Sequence, residues 1–327
     1  MVIQVIILLI ALAFLVWSAD KFVLGASSLA RNIGVSPMII GLTIVAMGSS
    51  APEMMVAASA SLQGSPDTAI GNAIGSNITN IALVLGLTVL IKPMVISSSI
   101  IRQEIPLVLF LSILTYLIFY DNFFAFWEGL ILLIGFFTFI TTLLIKSLKQ
   151  RKMHNPDDPM ITEAEKELPE ATTNLKSVFW LVVGIVLLVV SAHYLVQSAV
   201  FIAKAFGISD LVIGLTVIAI GTSLPELAAS IASVIKKEND LALGNIVGSN
   251  IFNILAVLPF AGLIAPGPVN PEAVARDIPI MIAITLLLFV LCFSRRFGYF
   301  RMTRVKGALL FLSFVAYQIL LFSQIAH

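Results

Sequence analysis

Two glutamates stand in apolar stretches of this sequence, and their surroundings repeat. Glu53 closes the run Gly41–Glu53, GLTIVAMGSSAPE, and Glu226 closes Gly214–Glu226, GLTVIAIGTSLPE, with eight of thirteen positions identical. A charged side chain at the centre of a bilayer costs roughly 2.5–3.5 kcal/mol on an insertion scale, so an equivalent pair points to use. Ser49 and Ser50 precede Glu53 by four and three positions and share its helical face, as Thr222 and Ser223 do for Glu226. Pro52 and Pro225 lack the backbone donor that would reach Gly48 and Gly221, which releases those carbonyls. Carboxylate, hydroxyl and released carbonyl oxygens are together the ligand set of a hard cation.

A second pair of motifs follows. GNAIGSNITNI begins at Gly71 and GNIVGSNIFNI at Gly244, with eight of eleven positions identical. Asn72, Ser76 and Asn80 fall on one helical stripe, and so do Asn245, Ser249 and Asn253. The blander readings have weight here. Glycines four apart are on their own a helix-packing signal, and a serine in a membrane helix commonly bonds its own backbone. The acids are harder to dismiss, because a mid-helix glutamate cannot snorkel to water. Asn80 and Asn253 fall at similar depth and join the candidate site.

These residues need helices to position them, and composition supplies the helices. Of 327 residues, 59 % are apolar and 11 % charged, and the mean hydropathy of +1.05 is that of a polytopic membrane protein. Apolar runs long enough to cross about 30 Å of hydrocarbon lie near 2–19, 38–62, 69–91, 103–120 and 124–146, then 177–196, 211–235, 242–264, 277–294 and 306–325. The first run lacks a signal peptide's basic start and cleavage pattern, so it reads as a retained helix. The polar stretch 147–176 carries Pro156, Pro159 and Pro169 and reads as a connector, with one helical turn near 161–168. Asp20 and His193 fall near helix ends on this reading. The net charge of +1 gives no argument for nucleic acid, and Cys292 is the single cysteine.

Repetition sets the architecture. Gly34/Gly207, Glu53/Glu226, Asp67/Asp240, Gly71/Gly244, Asn80/Asn253 and Pro106/Pro279 all match at an offset of 173 residues without a gap. The expected fold is an all-α polytopic membrane protein of ten transmembrane helices, arranged as two five-helix repeats, 1–146 and 177–327. An odd helix count inverts the second repeat relative to the first. Alternating the loops places seventeen Lys and Arg residues, Lys21 among them, on one side and only Lys204 and Arg276 on the other. Both termini are then outside and the connector is cytoplasmic. Phe123, Phe124, Phe126 and Trp127 fall at the outer interface, where aromatic rings are favoured.

With its paired GTSLPE-like and GNxxGSNxxN-like motifs, the sequence resembles the calcium/cation antiporter superfamily over nearly its whole length, in particular the prokaryotic sodium/calcium exchangers. The resemblance implies that Glu53 and Glu226 are central calcium ligands shared in turn with sodium. It implies that Ser49, Ser50, Thr222, Ser223, Ser76 and Ser249 contribute hydroxyls, and that the carbonyls of Ala46 and Ala219 complete outer sodium sites. Helices one and six would slide across a rigid core in a prokaryotic inner membrane, with Ca²⁺ and Na⁺ as substrates and no cofactor or obligatory protein partner. Two departures stand out: Ser49 and Ala51 replace the more usual Thr and Leu, and Asn253 stands where the potassium-dependent branch carries an aspartate. Proton/calcium exchange on the same scaffold is the nearest alternative. An intramembrane enzyme would need a nucleophile–base pair or a motif such as HExxH, which the sequence lacks. A channel would show itself in single-channel currents.

Overall fold

The computed structural model describes residues 1–34, 46–96, 100–152, 172–235, 239–292 and 300–325. These residues are almost wholly helical, as a lipid-embedded backbone that must satisfy itself requires. Helix α1 is Val2–Asn32. Helix α2 is described from Ala46, as Ala46–Ser49 and Ala51–Leu62. Helix α3 strings together Pro66–Ile78, Thr79–Leu85 and Gly86–Ile91, and α4 joins Ile100–Glu104 to Ile105–Ile118. Helix α5 is Phe126–Lys152 and α6 is Asn174–Phe206. Helix α7 comprises Asp210–Ile213, Gly214–Ile218, Ala219–Thr222 and Leu224–Ile235. Helix α8 runs through Asn239–Phe252, Asn253–Val257 and Pro259–Ile264, α9 through Ala273–Asp277 and Ile278–Cys292, and α10 is Arg304–Ile325. Among the described residues, eight helices (α1, α3 and α5 to α10) are long and apolar enough to cross a membrane. The expected start of α2, at 38–45, and the turn at 161–168 lie outside the described residues.

Burial sorts these helices into a core and a surround. The most apolar stretches of α3, α7 and α8 are 78 %, 67 % and 89 % buried, against 22–39 % for α1, α5, α6, α9 and α10. The core crossing is made by backbone. A Cβ on Gly71 of α3 would lie 2.5 Å from the Leu211 carbonyl of α7, and one on Gly214 would lie 2.5 Å from the Thr68 carbonyl of α3. Only glycine permits that approach, which is the packing expected of the motif's glycines.

Several core helices widen into π-helical turns. Thr79–Leu85 in α3 and Asn253–Val257 in α8 are near-equivalent, and Ile100–Glu104 in α4 matches Ala273–Asp277 in α9 at the 173-residue offset. Two short ribbons tie the halves together: β1 (Met94–Ile96) pairs antiparallel with β4 (Phe300–Met302), and β2 (Phe123–Phe124) with β3 (Gly267–Pro268). Phe124 is therefore not an interfacial ring. It is buried against Phe119, ring centroids 4.6 Å apart, and beneath Gly262.

The outer pair α1 and α6 is longer than the sequence suggests. They run 31 and 33 residues, about 46 and 50 Å at 1.5 Å per residue, so they tilt or project beyond the hydrocarbon. Asp20 and His193 are thus in helix interiors, not near helix ends, and Lys21 is not a loop residue. The Lys21 ammonium packs over the rings of Trp17 and Trp180, 5.5 and 5.1 Å from their centroids, which lets the helix continue through a charged pair. The two helices cross antiparallel: Gly25 meets the backbone at Ser177 and Leu181, Gly184 meets Phe22, and Asn32 donates to the Thr172 carbonyl at 2.8 Å.

Candidate functional site

The prolines break α2 and α7 at matching places. Ser50 (φ −93°, ψ 6°) separates Ala46–Ser49 from Ala51–Leu62, and Ser223 (φ −85°, ψ 2°) separates Ala219–Thr222 from Leu224–Ile235. Each glutamate sits in the first turn after its break. There the unpaired amides of a helix start favour negative charge. α1 lies over both breaks, with Val23 against Gly48 and Leu12 against Gly221.

Glu53 and Glu226 are 1 % and 2 % exposed, and none of their four carboxylate oxygens has a hydrogen-bond partner among the described residues. They come from opposite halves, yet the segments that carry them meet, Ala219–Thr222 packing against Ala51–Leu62. A third buried acid provides the contrast. Asp277 is fully enclosed, but Arg276 donates to it at 2.8 and 3.1 Å and the Tyr317 hydroxyl at 2.9 Å. Buried carboxylates are ordinarily satisfied in this way; the paired glutamates depart from the rule.

The hydroxyls divide likewise. Ser61, Thr88, Ser112, Thr216 and Thr285 turn back to the carbonyl four residues earlier, at 2.7–2.8 Å. Ser50, Ser76, Ser223 and Ser249 are just as enclosed but bond nothing among the described residues. Thr222 reaches the Ala219 carbonyl and Asn72 Oδ1, both at 3.5 Å, and Asn72 in turn donates to the Glu53 carbonyl at 3.2 Å. Asn72 therefore links the two broken helices. Ser49 is half-buried at the end of its segment, and Ala46 is helical at the start of the described part of α2. The Ala219 carbonyl also accepts from the Ser223 amide at 3.2 Å, and a Cβ on Gly75 would lie 2.8 Å from the Ala219 Cβ.

Asn80 and Asn253 lie in the π-helical turns, a backbone irregularity frequent at functional sites. Asn253 donates to Asn77 Oδ1 at 3.3 Å, and Asn77 donates to the Met281 sulfur at 3.5 Å. Asn80 and Asn250 are as buried, with both amide atoms unpartnered. Asn77 and Asn250 lie inside the repeated motif but off the stripe read from the sequence; they are enclosed because α3 and α8 are buried on nearly every face there. Asp67 accepts from the Asn270 amide at 3.2 Å, so it ties the first turn of α3 to the segment that leads into α9. The described residues contain no cluster of three or more His, Cys, Asp or Glu. The ensemble is two acids among neutral oxygens, the donor set of an alkali or alkaline-earth cation.

Known proteins are similar to this chain over nearly all of its length. A family model described as sodium/calcium exchanger protein matches residues 3–145 and 176–323. CaxA of Alkalimonas amylolytica, named as an antiporter, is 52 % identical over 324 residues, covering 99 % of this chain and 100 % of its own. The inner membrane protein YrbG of Escherichia coli strain K12 is 39 % identical over 88 % of each chain. Among solved structures, the sodium-calcium exchanger NCX_Mj soaked with Na⁺ and Ca²⁺ is similar at a TM-score of 0.60 and 31 % identity, over 97 % of both chains.

Proposed function

The chain belongs to the sodium/calcium exchanger family, integral membrane transporters and not enzymes, and from that premise we propose that it exchanges Ca²⁺ for Na⁺ by alternating access. The observation that carries this reading is the pair of buried carboxylates, one from each half, whose oxygens accept no hydrogen bond among the described residues, together with the enclosed hydroxyls of Ser50, Ser76, Ser223 and Ser249 that likewise bond nothing there. Glu53 and Glu226 hold the cation at mid-membrane. Asn80, Asn253, Ser50, Ser223, Ser76 and Ser249 supply neutral oxygens, Ser49 and Thr222 lie beside them, and the Ala46 and Ala219 carbonyls complete the sodium positions. Two ionised carboxylates balance one Ca²⁺ or two Na⁺, with further sodium held by neutral oxygens alone.

The architecture proposed for this task is ten spans in two inverted repeats, 1–146 and 177–327, joined by the cytoplasmic connector 147–176 with both termini outside. The likeness to an inner membrane protein favours a bacterial inner membrane. α1 and α6 are the moving pair: they grip each other through Gly25 and Gly184, and α1 lies across both helix breaks. Carrying two bare carboxylates through a closed, dry state costs on the order of 5–7 kcal/mol. That is at least a thousandfold penalty, since each 1.4 kcal/mol is tenfold. Bound cations cancel it. Loaded carriers cross and empty ones do not, which makes the device an exchanger.

Calcium flux into proteoliposomes under an imposed sodium gradient tests the proposal. Sodium-driven uptake is expected; uptake that needs no sodium and follows a pH gradient would replace sodium with protons as the coupling ion.

A further inference from the structure

Asn77 is an enclosed amide that the proposed ligand set leaves out, and it is bonded at both ends. Its Nδ2 donates to the Met281 sulfur of α9 at 3.5 Å, and its Oδ1 accepts from Asn253 Nδ2 of α8 at 3.3 Å. All three residues are 1 % exposed. Asn253 Oδ1, at the far end of this chain of side chains, is buried and bonds nothing among the described residues. The turn that carries it, Asn253–Val257, packs against Ala51–Leu62, the segment of Glu53, and against Pro66–Ile78, the segment of Ser76.

The sulfur settles the polarity of the whole chain. The oxygen and nitrogen branches of an amide are nearly equal in shape, so bonding partners decide which way it points. A thioether accepts and cannot donate. Met281 therefore takes the nitrogen of Asn77, which turns the Asn77 oxygen to Asn253. That oxygen takes the nitrogen of Asn253 and leaves the Asn253 oxygen free. Reversing the pair would set oxygen against sulfur and give up a bond. It would also present an N–H₂ group where a cation needs an oxygen, and an amide nitrogen donates to carboxylates and cannot ligate.

We propose that Asn77 and Met281 are positioning residues, a relay that holds the Asn253 amide with its oxygen toward the cation. At the 173-residue offset Met281 corresponds to Val108, which is buried but has no acceptor. The counterparts of Asn77 and Asn253 are Asn250 and Asn80, whose side-chain amides bond nothing among the described residues. The relay thus serves the asparagine of the second half, and its sulfur has no equivalent in the first. The inference rests on Asn253 being a cation ligand.

The test is calorimetric titration of the purified full-length protein with Ca²⁺ in sodium-free detergent solution. Met281→Leu keeps the side-chain volume and removes the sulfur, so the fold tolerates it. Calcium affinity is expected to fall about threefold to tenfold, as the reversed amide takes a share of the population. Asn77→Leu removes the nearer link and should weaken calcium at least as much; a smaller loss there would overturn the order of the relay. Asn253→Asp presents oxygen on both branches and needs no orienting. In that background Met281→Leu should change calcium affinity by less than about twofold. An equal loss in both backgrounds would reduce Met281 to packing and overturn the relay, and so would an affinity untouched by Met281→Leu alone. Asn253→Ala separates the two failures. Unchanged affinity there removes Asn253 from the site, whereas weakened affinity with an indifferent Met281→Leu removes only the relay.

Discussion

The second halves of α2 and α7 are equivalent in sequence and unlike in surroundings. Ala51 is 7 % exposed and its counterpart Leu224 is 47 %; Val56 is fully buried and its counterpart Ala229 is exposed. The cause is the outer pair. α6 lies along Ala51–Leu62, and Gln63 donates to the His193 carbonyl at 3.3 Å, whereas among the described residues α1 makes no comparable contact with Leu224–Ile235. The asparagines diverge in the same manner, Asn253 bonded to Asn77 while the side-chain amides of Asn80 and Asn250 bond nothing among the described residues. A near-identical repeat thus occupies two different environments. On the proposed function, that inequality is one side of the site closed and the other open, and transport exchanges the two.

The strongest test of this comparison asks where the halves are alike. Glu53→Gln and Glu226→Gln should each reduce sodium-driven calcium flux by more than a hundredfold, since either leaves one negative charge for a divalent ion; substantial flux in either single mutant would refute the pairing. Accessibility asks where they differ. A cysteine at Ala229 should react with a membrane-impermeant maleimide added on the connector side at least tenfold faster than one at Val56 reacts with the same reagent added on the opposite side, in a Cys292→Ala background; equal rates would dissolve the asymmetry. Next in size is the crossing that both halves share. Gly214→Ala places a methyl 2.5 Å from the Thr68 carbonyl and should destabilise by about 1–3 kcal/mol, read as a lowered melting temperature in detergent, whereas Gly207→Ala, with no neighbour near its Cβ, carries only about 1 kcal/mol of backbone strain. Smallest is the asparagine contrast. Asn253→Ala should lose about 0.6 kcal/mol of stability with its bond to Asn77, and Asn80→Ala should lose none, while both weaken calcium affinity.

How much of this was legible beforehand depended on whether the signal was local. The helix breaks at Ser50 and Ser223 follow from Pro52 and Pro225, because a missing amide cannot be replaced within the helix. The two acids were conspicuous because lipid penalises them. At Asp20, Lys21 and His193 a polar side chain resembles a helix end, yet α1 and α6 run on through these positions. Only the packing of Lys21 over Trp17 and Trp180, from two helices, explains the continuation. Asn77 and Asn250 escape a stripe drawn on one face at 3.6 residues per turn, because α3 and α8 are buried on nearly every face.

By itself the sequence determined the apolar helices, their duplication at a constant offset and the chemistry of the paired acids, all of which reside in residue type and spacing. The tertiary structure alone decided which hydroxyls turn back to their own helices and which stand unbonded, which asparagine finds a partner, and which half is covered. Those outcomes depend on what lies across a helix interface, and two nearly identical stretches of chain carry no information about which of them α6 will cover.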